Sequence, residues 1–230
     1  MARDVQPTLD ALDAHATFRR RAPFVVDRAA LLEALARGRR VLDLGAADAS
    51  HLDVHRAVGE WLHARLAAVA SACVGVDLDR AAVERLRAEG WDVRHGDVTS
   101  LQLGETFDVV VAGELIEHVT DAGALLDACA RHLTPGGLLV LSTPNAFALH
   151  ASPGILSPLV RNRGIHPDHV AWYCATTLEQ LLARQGWGPI EIGYGASPST
   201  SLAKRAFRRT AFRLRPSWSE TVIAIAGHQP

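Results

Sequence analysis

Short apolar runs alternate along the chain with stretches in which apolar residues recur every three or four positions. The helical spacing predicts helices between the runs, among them a long helix from His51 to Ala70. Strands that alternate with helices in this way indicate an α/β fold with a parallel, doubly wound sheet. The apolar runs themselves are predicted as strands, at 41–44, 73–77, 91–95, 106–111, 138–142, 189–194 and 220–226. Thr-Pro-Gly-Gly at 134–137 is predicted as a turn with a glycine at its positive-φ position.

The same pattern predicts a single domain, 1–230, made of successive parts. Residues 1–38 are predicted as an N-terminal helical cap and 39–143 as the core. The connection 144–175 is rich in proline, and a loop of that length in a compact domain is usually functional, so we expect it to contact a substrate. Residues 196–219 are predicted as a basic insertion before the last strand.

Acidic residues stand at the ends of two predicted strands, the edge at which parallel sheets bind ligands. Asp43 lies near the end of the first predicted strand, which Gly45 terminates, and Asp77 ends the second. A dinucleotide site needs G-x-G-x-x-G there, but Ala47 and Asp48 follow the glycine. An acid at this turn would repel a pyrophosphate and suits an ammonium or sulfonium charge.

Composition excludes several classes of protein. An apolar content of 48% over 230 residues is enough for one core, and a net charge of −1 argues against a nucleic-acid-coating protein. The chain has neither a signal peptide nor an apolar run that would cross a membrane, so a cytoplasmic location without membrane insertion is expected. The cysteines lack C-x-x-C spacing, which disfavours a cysteine zinc site or a disulfide framework.

A basic amphipathic stretch runs from Lys204 to Arg215. A solvated helix is the simplest interpretation, and an anionic substrate group, a membrane surface or a protein partner are the alternatives. The stretch lacks aromatic residues interleaved along a groove, so no nucleic-acid site is predicted.

Taken in order, short motifs along the core resemble those of class I S-adenosylmethionine-dependent methyltransferases. Each motif is weak alone, but their order and spacing over 39–195 are specific. The resemblance implies a Rossmann-like sheet of seven strands in the order 3-2-1-4-5-7-6, with strand 7 antiparallel, and S-adenosylmethionine as the cofactor bound by 39–143. The motifs are Val-Leu-Asp-Leu-Gly at 41–45, Gly-Val-Asp at 75–77, Gly-Asp-Val at 96–98, Phe-Asp-Val-Val at 107–110, Glu-Leu-Ile-Glu-His-Val at 114–119 and Leu-Thr-Pro-Gly-Gly at 133–137.

The resemblance also implies the cofactor contacts. Asp77 would bind the ribose hydroxyls, Asp97 would accept from the adenine amino group, and Gly113 would lie beside the sulfonium. Two features depart from the family pattern: alanine replaces glycine at 47 and 49, and the distance from Gly45 to Asp77 is long, which implies an insertion. The full set implied is Asp43, Gly45, Ala46, Ala47, Asp77, Leu78, Asp97, Val98, Ala112 and Gly113.

The motif at 114–119 resembles the small-molecule branch that includes quinone and sugar O-methyltransferases. A hydroxyl acceptor needs a base, and histidine suits this role near neutral pH. His118 and His166 are the predicted catalytic residues, each with a structural role as the alternative. The other histidines, His51, His55 and His63 among them, are expected at the surface or in the core. The predicted substrate residues are Glu114, Asn145, His169, Trp172 and Tyr173.

The predicted function is therefore methylation of a small molecule, with O-methylation of a specialised metabolite or sugar favoured. N- or C-methylation and a non-catalytic, cofactor-binding relative are the alternatives. No metal site is predicted, although Glu114, Glu117 and His118 offer ligands for a divalent ion. The sequence leaves the identity of the acceptor and the oligomeric state open.

Overall fold

The computed structural model describes residues 25–48, 51–148, 167–195, 210–212 and 214–228. Its strands are β1 Val25–Val26, β2 Arg40–Leu44, β3 Ala72–Asp77, β4 Val93–His95, β5 Phe107–Gly113, β6 Leu133–Pro144, β7 Trp187–Gly195 and β8 Thr221–His228. Its helices include α1 Arg28–Ala36, α2 Leu52–Ala57, α3 Leu62–Ala67, α4 Arg80–Ala88, α5 Ala122–Arg131 and α6 Ala175–Arg184, with 3₁₀ turns at Ile116–His118 and Pro216–Trp218.

The strands form one eight-stranded sheet in the order β1-β7-β8-β6-β5-β2-β3-β4. Strand β8 pairs antiparallel with β6 and β7, and the other pairs are parallel. From β4 to β7 this is the predicted order, 3-2-1-4-5-7-6, and the antiparallel last strand is confirmed. The prediction of seven strands is short by one, because β1 adds two residues to the edge beside β7.

The central strands are apolar on both faces because helices cover both faces of the sheet. On β2, Val41 packs with α1 and α3 on one side, whereas Leu42 packs with α5 and α6 on the other. Both side chains are fully buried. Alternate residues of each central strand thus face the two opposite sides of the sheet, and each side is covered by its own layer of helices. This is the doubly wound architecture.

The predicted long helix from His51 to Ala70 is wrong, because the chain breaks into two six-residue helices, α2 and α3. The break lies at Gly59, whose φ of +72° is a conformation that glycine adopts without steric cost. Just after it, the Trp61 indole is 2% exposed and its Nε1 donates to the Ala46 carbonyl at 2.8 Å. The segment thus folds back over the turn that follows β2.

The predicted turn at 134–137 is an interruption within β6. Leu133 pairs with Phe107, but the next pair in the ladder is Leu138 with Val109, so the intervening residues bulge out of register. Gly136 takes a φ of +77° there, as the turn chemistry predicted.

Parts of three predicted segments lie outside the described residues: 1–24 of the helical cap, 149–166 of the substrate loop and 196–209 of the basic insertion. Within the described residues, every helix is too short or too polar to cross a bilayer.

Candidate functional site

A cavity of about 720 Å³ opens at the C-terminal edge of the sheet. One end is lined by residues at the ends of β2 and β3, among them Asp43 and Asp77. The other end is lined by Glu117 and His118, which follow β5, and by His169. The volume is within the range of small-molecule sites, and the two ends carry different groups.

The turn after β2 shapes the first end. Gly45 has a φ of +80°, and a Cβ there would lie 3.2 Å from Leu115 Cδ1, so both the backbone and the available space require glycine. The Gly45 and Ala46 amides donate to the Val76 carbonyl at 2.8 and 3.1 Å. The turn is thereby attached to the end of β3.

The Asp77 carboxylate continues this attachment. Its Oδ2 accepts from the Ala47 amide and its Oδ1 from the Asp79 amide, each at 2.9 Å. A carboxylate has about four acceptor positions, so both oxygens retain capacity for the hydroxyls of a ribose.

Asp43 lies at the floor of the cavity and is 2% exposed. Its Oδ2 is 3.0 Å from Nδ1 of His63 on α3, which is 1% exposed. Gly75 on β3 leaves room for that ring, because a Cβ there would lie 2.9 Å from His63 Cε1. The sequence predicted Asp43 as a site residue but not its partner.

Asp48 follows the same turn with a φ of +45°, which is uncommon for a residue other than glycine. Its Oδ2 is bound by Nδ1 of His55 on α2, and its Oδ1 lies 3.7 Å from His51 Nδ1. All three side chains line the cavity. His51 is exposed and His55 half-buried, as expected, and both also belong to the cavity wall.

Arg28, the first residue of α1, was missed entirely. Its NH1 donates to Ser142 Oγ at 3.0 Å and lies 3.8 Å from Glu114 Oε1. A Cβ on Gly113 would lie 3.1 Å from the same nitrogen, so the glycine makes room for the guanidinium. Arg28 is the only arginine or lysine among the described residues that line the cavity. Asp27 fixes its place, because that side chain caps α1 by accepting from the amides of the first turn.

This set of groups fits S-adenosylmethionine. Asp77 offers acceptors for ribose hydroxyls, while Asp43 and Asp48 suit the ammonium group. Arg28 suits the carboxylate of the methionyl end, because a guanidinium recognises a planar carboxylate in a bidentate way. A pyrophosphate, in contrast, would meet these acids with like charge.

The predicted cofactor contacts Leu78, Asp97 and Val98 are not among the residues that line the cavity. Leu78 is 66% exposed, which leaves an apolar surface next to Asp77. Asp97 accepts from the Thr99 amide at 2.9 Å and from its hydroxyl at 2.7 Å, and both bonds lower the pKa of the carboxyl group. Val98 is partly buried against the core.

Two predicted contacts have their side chains elsewhere. Ala112, which the resemblance implies as a contact beside Gly113, is fully buried among core residues on the face of β5 that packs against α5, and it does not line the cavity. Ala47 is likewise fully buried and takes part through its amide, which donates to Asp77.

Two glutamates follow β5. Glu114 has a φ of +53°, its Oε1 is buried, and that burial raises the pKa of the carboxyl group against the opposing effect of Arg28. Glu117 is 1% exposed, and neither of its carboxylate oxygens has a hydrogen-bond partner among the described residues. Burial and the neighbouring Glu114 charge raise the pKa of Glu117 to about 8. A carboxyl group in this state needs either a proton or a cationic ligand.

His118 lies beside Glu117 in the 3₁₀ turn. Its Nδ1 is 3.2 Å from the Asp168 carbonyl, and its ring centroid is 4.7 Å from that of His169, edge to face. Glu117, His118 and His169 each offer a ligand atom, and these atoms lie within 4.8 Å of one another. The structure thus brings together His118 and His169, both predicted as site residues, with Glu117, which the sequence analysis considered only as a possible metal ligand. The other predicted base, His166, lies outside the described residues.

Asn145 does not fit the substrate role predicted for it. It is 2% exposed, and its Nδ2 donates to the carbonyls of Ser217 and Ser219 at 2.7 and 2.9 Å. Its Oδ1 accepts from the Phe147 amide at 3.1 Å. These hydrogen bonds to backbone groups attach the segment after β6 to the start of β8. The side chain is therefore not available to bind a substrate.

The two predicted aromatics also differ. Tyr173 is partly buried against the core, and burial, then the Glu117 charge, raise the pKa of its hydroxyl. Trp172 is 37% exposed and lies edge-on to His169, with ring centroids 6.1 Å apart. Trp172 thus lies next to His169, which lines the cavity, and remains a candidate for contact with a substrate.

Comparison with known proteins places these observations in context. A family model described as a methyltransferase domain matches residues 15–192. A probable S-adenosylmethionine-dependent methyltransferase of Mycolicibacterium smegmatis is 34% identical over 73% of this chain and 58% of that protein. A ubiquinone biosynthesis O-methyltransferase of Rhizobium rhizogenes is 30% identical over 74% of each chain. The match therefore spans little more than half of the mycobacterial relative's length.

Solved structures share the fold at low sequence identity. N-methyltransferase NodS from Bradyrhizobium japonicum, in complex with S-adenosyl-L-homocysteine, superposes with a TM-score of 0.55 at 17% identity, over 97% of this chain and 99% of that one. A SAM-dependent methyltransferase from Archaeoglobus fulgidus gives a TM-score of 0.54 at 18% identity, over 86% and 93% of the two chains. At these identities the likeness concerns the fold alone.

The first prediction concerns Asp77. Its replacement by alanine is expected to weaken S-adenosylhomocysteine binding by about 1–3 kcal/mol, because charge-assisted hydrogen bonds to the ribose are lost. Isothermal titration calorimetry measures this, with circular dichroism to check the fold. Asp92→Ala removes an exposed acid that pairs with Arg94 and serves as the matched control. Unchanged affinity in a folded Asp77→Ala protein would remove Asp77 from the site.

The second prediction concerns Glu117. Its pKa is about 8 in the folded protein against 4.5 for the free group. Between these values the unfolded chain loses a proton that the folded protein retains, so rising pH destabilises the fold by on the order of 1 kcal/mol per pH unit. Thermal melts in chelator-containing buffer should show the melting temperature of the wild type falling from pH 5 to pH 8. Glu117→Gln should flatten that slope, and parallel slopes for the two proteins would contradict the assignment.

Proposed function

The chain belongs to the S-adenosylmethionine-dependent methyltransferases, and from that premise we propose that it methylates a hydroxyl oxygen of a small molecule. The observation that carries the proposal is one cavity with two chemically different ends. Asp43 and Asp77 line the cofactor end, and Glu117, His118 and His169 form a cluster at the other end.

The cofactor supplies an activated methyl group on a sulfonium, so the protein mainly has to orient the reactants and exclude water. The turn at Gly45 and the Asp77 carboxylate orient the ribose side of the cavity. Arg28 places a positive charge where β5 and β6 end, next to Gly113. The acceptor then has to enter between these groups and the His118 side of the cavity.

His118 is the base in this proposal. Its Nδ1–H donates to the Asp168 carbonyl, which leaves Nε2 as the basic nitrogen of the neutral ring. That nitrogen takes the hydroxyl proton of the acceptor as the methyl group moves. The Glu117 carboxyl, buried beside the ring, keeps its proton near neutral pH and so adds no negative charge there.

The assignment of oxygen as the acceptor atom is supported by a relative. The Rhizobium rhizogenes protein is named an O-methyltransferase of ubiquinone biosynthesis, and it covers most of this chain. Amine methylation is the second candidate, because the carboxyl groups of Glu114 and Glu117 suit an amine substrate. An ammonium group would first have to give its proton to an ionised carboxylate or to His118, since only the neutral amine accepts a methyl group. A panel of phenols, sugars and amines, with product detection by mass spectrometry, distinguishes the two.

The Glu117, His118 and His169 cluster also has the chemistry to hold a divalent cation. It offers one carboxylate and two imidazoles, and the carboxylate oxygens lack other partners among the described residues. Such an ion would lower the pKa of a bound hydroxyl as a Lewis acid. The residues therefore fit a metal, although our proposal assigns proton removal to His118.

The third prediction tests the base. His118→Ala is expected to lose turnover by at least about a hundredfold, while S-adenosylhomocysteine binds with unchanged affinity. The control is His228→Ala, a histidine that packs on Trp187 away from the cavity and should leave both quantities unchanged. Full turnover in His118→Ala would mean that orientation suffices, and would shift the proposal to an amine acceptor.

The fourth prediction separates the base from a metal. Dialysis against EDTA is expected to leave turnover of the wild type within about twofold, since an imidazole base needs no ion. A loss that Mg²⁺ or Mn²⁺ restores in the wild type, but not in Glu117→Gln, would instead make the cluster a metal site.

A further inference from the structure

The segment between the turn at Gly45 and strand β3 carries two histidines that each bind an acid next to that turn. His63 on α3 binds Asp43 of β2, and His55 on α2 binds Asp48. The four side chains line the cavity. Methyl transfer as proposed above uses neither histidine, so their pairing requires a separate explanation.

The first pair is deeply buried. His63 and Asp43 are 1% and 2% exposed, with Nδ1 and Oδ2 3.0 Å apart. Burial of both partners holds the carboxylate in one rotamer and makes Nδ1 the donor, because a buried carboxylate without a donor is costly. With Oδ2 engaged, Oδ1 is the oxygen that remains available to a ligand.

The second pair lies at the cavity wall. Asp48 takes a positive φ, which turns its carboxylate toward His55 and His51. Helix α2 is held in place by ion pairs to α4, Arg85 with Asp53 at 2.5 Å and Arg56 with Glu89 at 2.6 Å. The segment is therefore attached to the sheet independently of the histidines.

The charges at this end are separated. Asp43 comes from the end of β2 and Asp48 from the turn that follows it, whereas Arg28, the single arginine or lysine among the described lining residues, comes from α1. Carboxylates at one place and a guanidinium at another match the two charges of a zwitterion. The methionyl end of S-adenosylmethionine is such a group, with an α-ammonium and a carboxylate.

We propose that His63 and His55 are positioning residues that orient Asp43 and Asp48 to bind the α-ammonium group of the cofactor. The segment that carries them makes the protein selective for a ligand with an intact amino-acid end. This inference rests on the cofactor and not on the acceptor, so it is independent of whether oxygen is the methylated atom.

The test compares two ligands that differ only at the amino-acid end. S-Adenosylhomocysteine has it, and 5′-methylthioadenosine keeps the adenosine and a thioether but lacks the α-ammonium and the carboxylate. Calorimetry on the full chain would measure both ligands with wild type, His63→Asn and His63→Leu. The asparagine amide keeps a donor near the position of Nδ1, and leucine of similar size does not.

We expect His63→Leu to bind S-adenosylhomocysteine about tenfold or more weakly than wild type, since the acid that accepts the ammonium is no longer oriented. His63→Asn should recover most of that loss. Affinity for 5′-methylthioadenosine should stay within about twofold in all three proteins. His55→Asn and His55→Leu should show the same ligand-selective difference.

His132→Leu is the matched control. His132 is 3% exposed and bonds to backbone groups of Leu103 and Ala128, so its loss should lower the melting temperature without changing either affinity. An equal loss for both ligands in the His63 and His55 variants would mean a structural role only and would overturn the proposal, as would unchanged affinity for both. If His63→Leu does not fold, the His55 pair decides by the same criteria.

Discussion

The site depends on the sharp turn at Gly45. With a positive φ and no side chain in the space beside Leu115, the chain leaves β2 close to the end of β3. The acid that ends β3, Asp77, can then accept a hydrogen bond from the turn itself. Because parallel strands end at one edge, the same geometry places β5 and β6 next to this turn, and with them the residues of the acceptor end.

The cavity contains several carboxyl groups whose burial in the charged form would be unfavourable without a partner. Each of them is neutralised in a different way. Asp43 is balanced by His63, Glu114 by the nearby Arg28, and Glu117 by a raised pKa that keeps it protonated near neutral pH. A bound ligand alters the charge of a carboxyl group that is neutralised by a proton more easily than that of a carboxylate held in an ion pair.

The segment after the turn shows how one fold tolerates a changed glycine motif. Alanine and aspartate follow Gly45 where glycines would leave the backbone open. Trp61 accordingly packs over the turn and hydrogen-bonds its Ala46 carbonyl, while His63 uses the space above Gly75. Side chains from an insertion thus make contacts to the turn that the local sequence around Gly45 does not predict.

The strand order and the antiparallel last strand were implied by the resemblance of the motifs to a known family. The sequence by itself determined the positions of most strands and the acids in β2 and β3, because periodicity and strand-end motifs are local signals. It also predicted that His118 and His169 belong to the site. The tertiary structure alone decided the role of Arg28, which reaches Ser142 across 114 residues, and the pairing of His63 with Asp43. It also showed that Asn145, predicted to contact the substrate, hydrogen-bonds to backbone carbonyls instead, and that the predicted long helix is interrupted at Gly59. Those outcomes depend on contacts between distant segments and on the space left by glycines such as Gly75 and Gly113. Neither feature produces a periodic pattern in the sequence, so neither could be predicted from it.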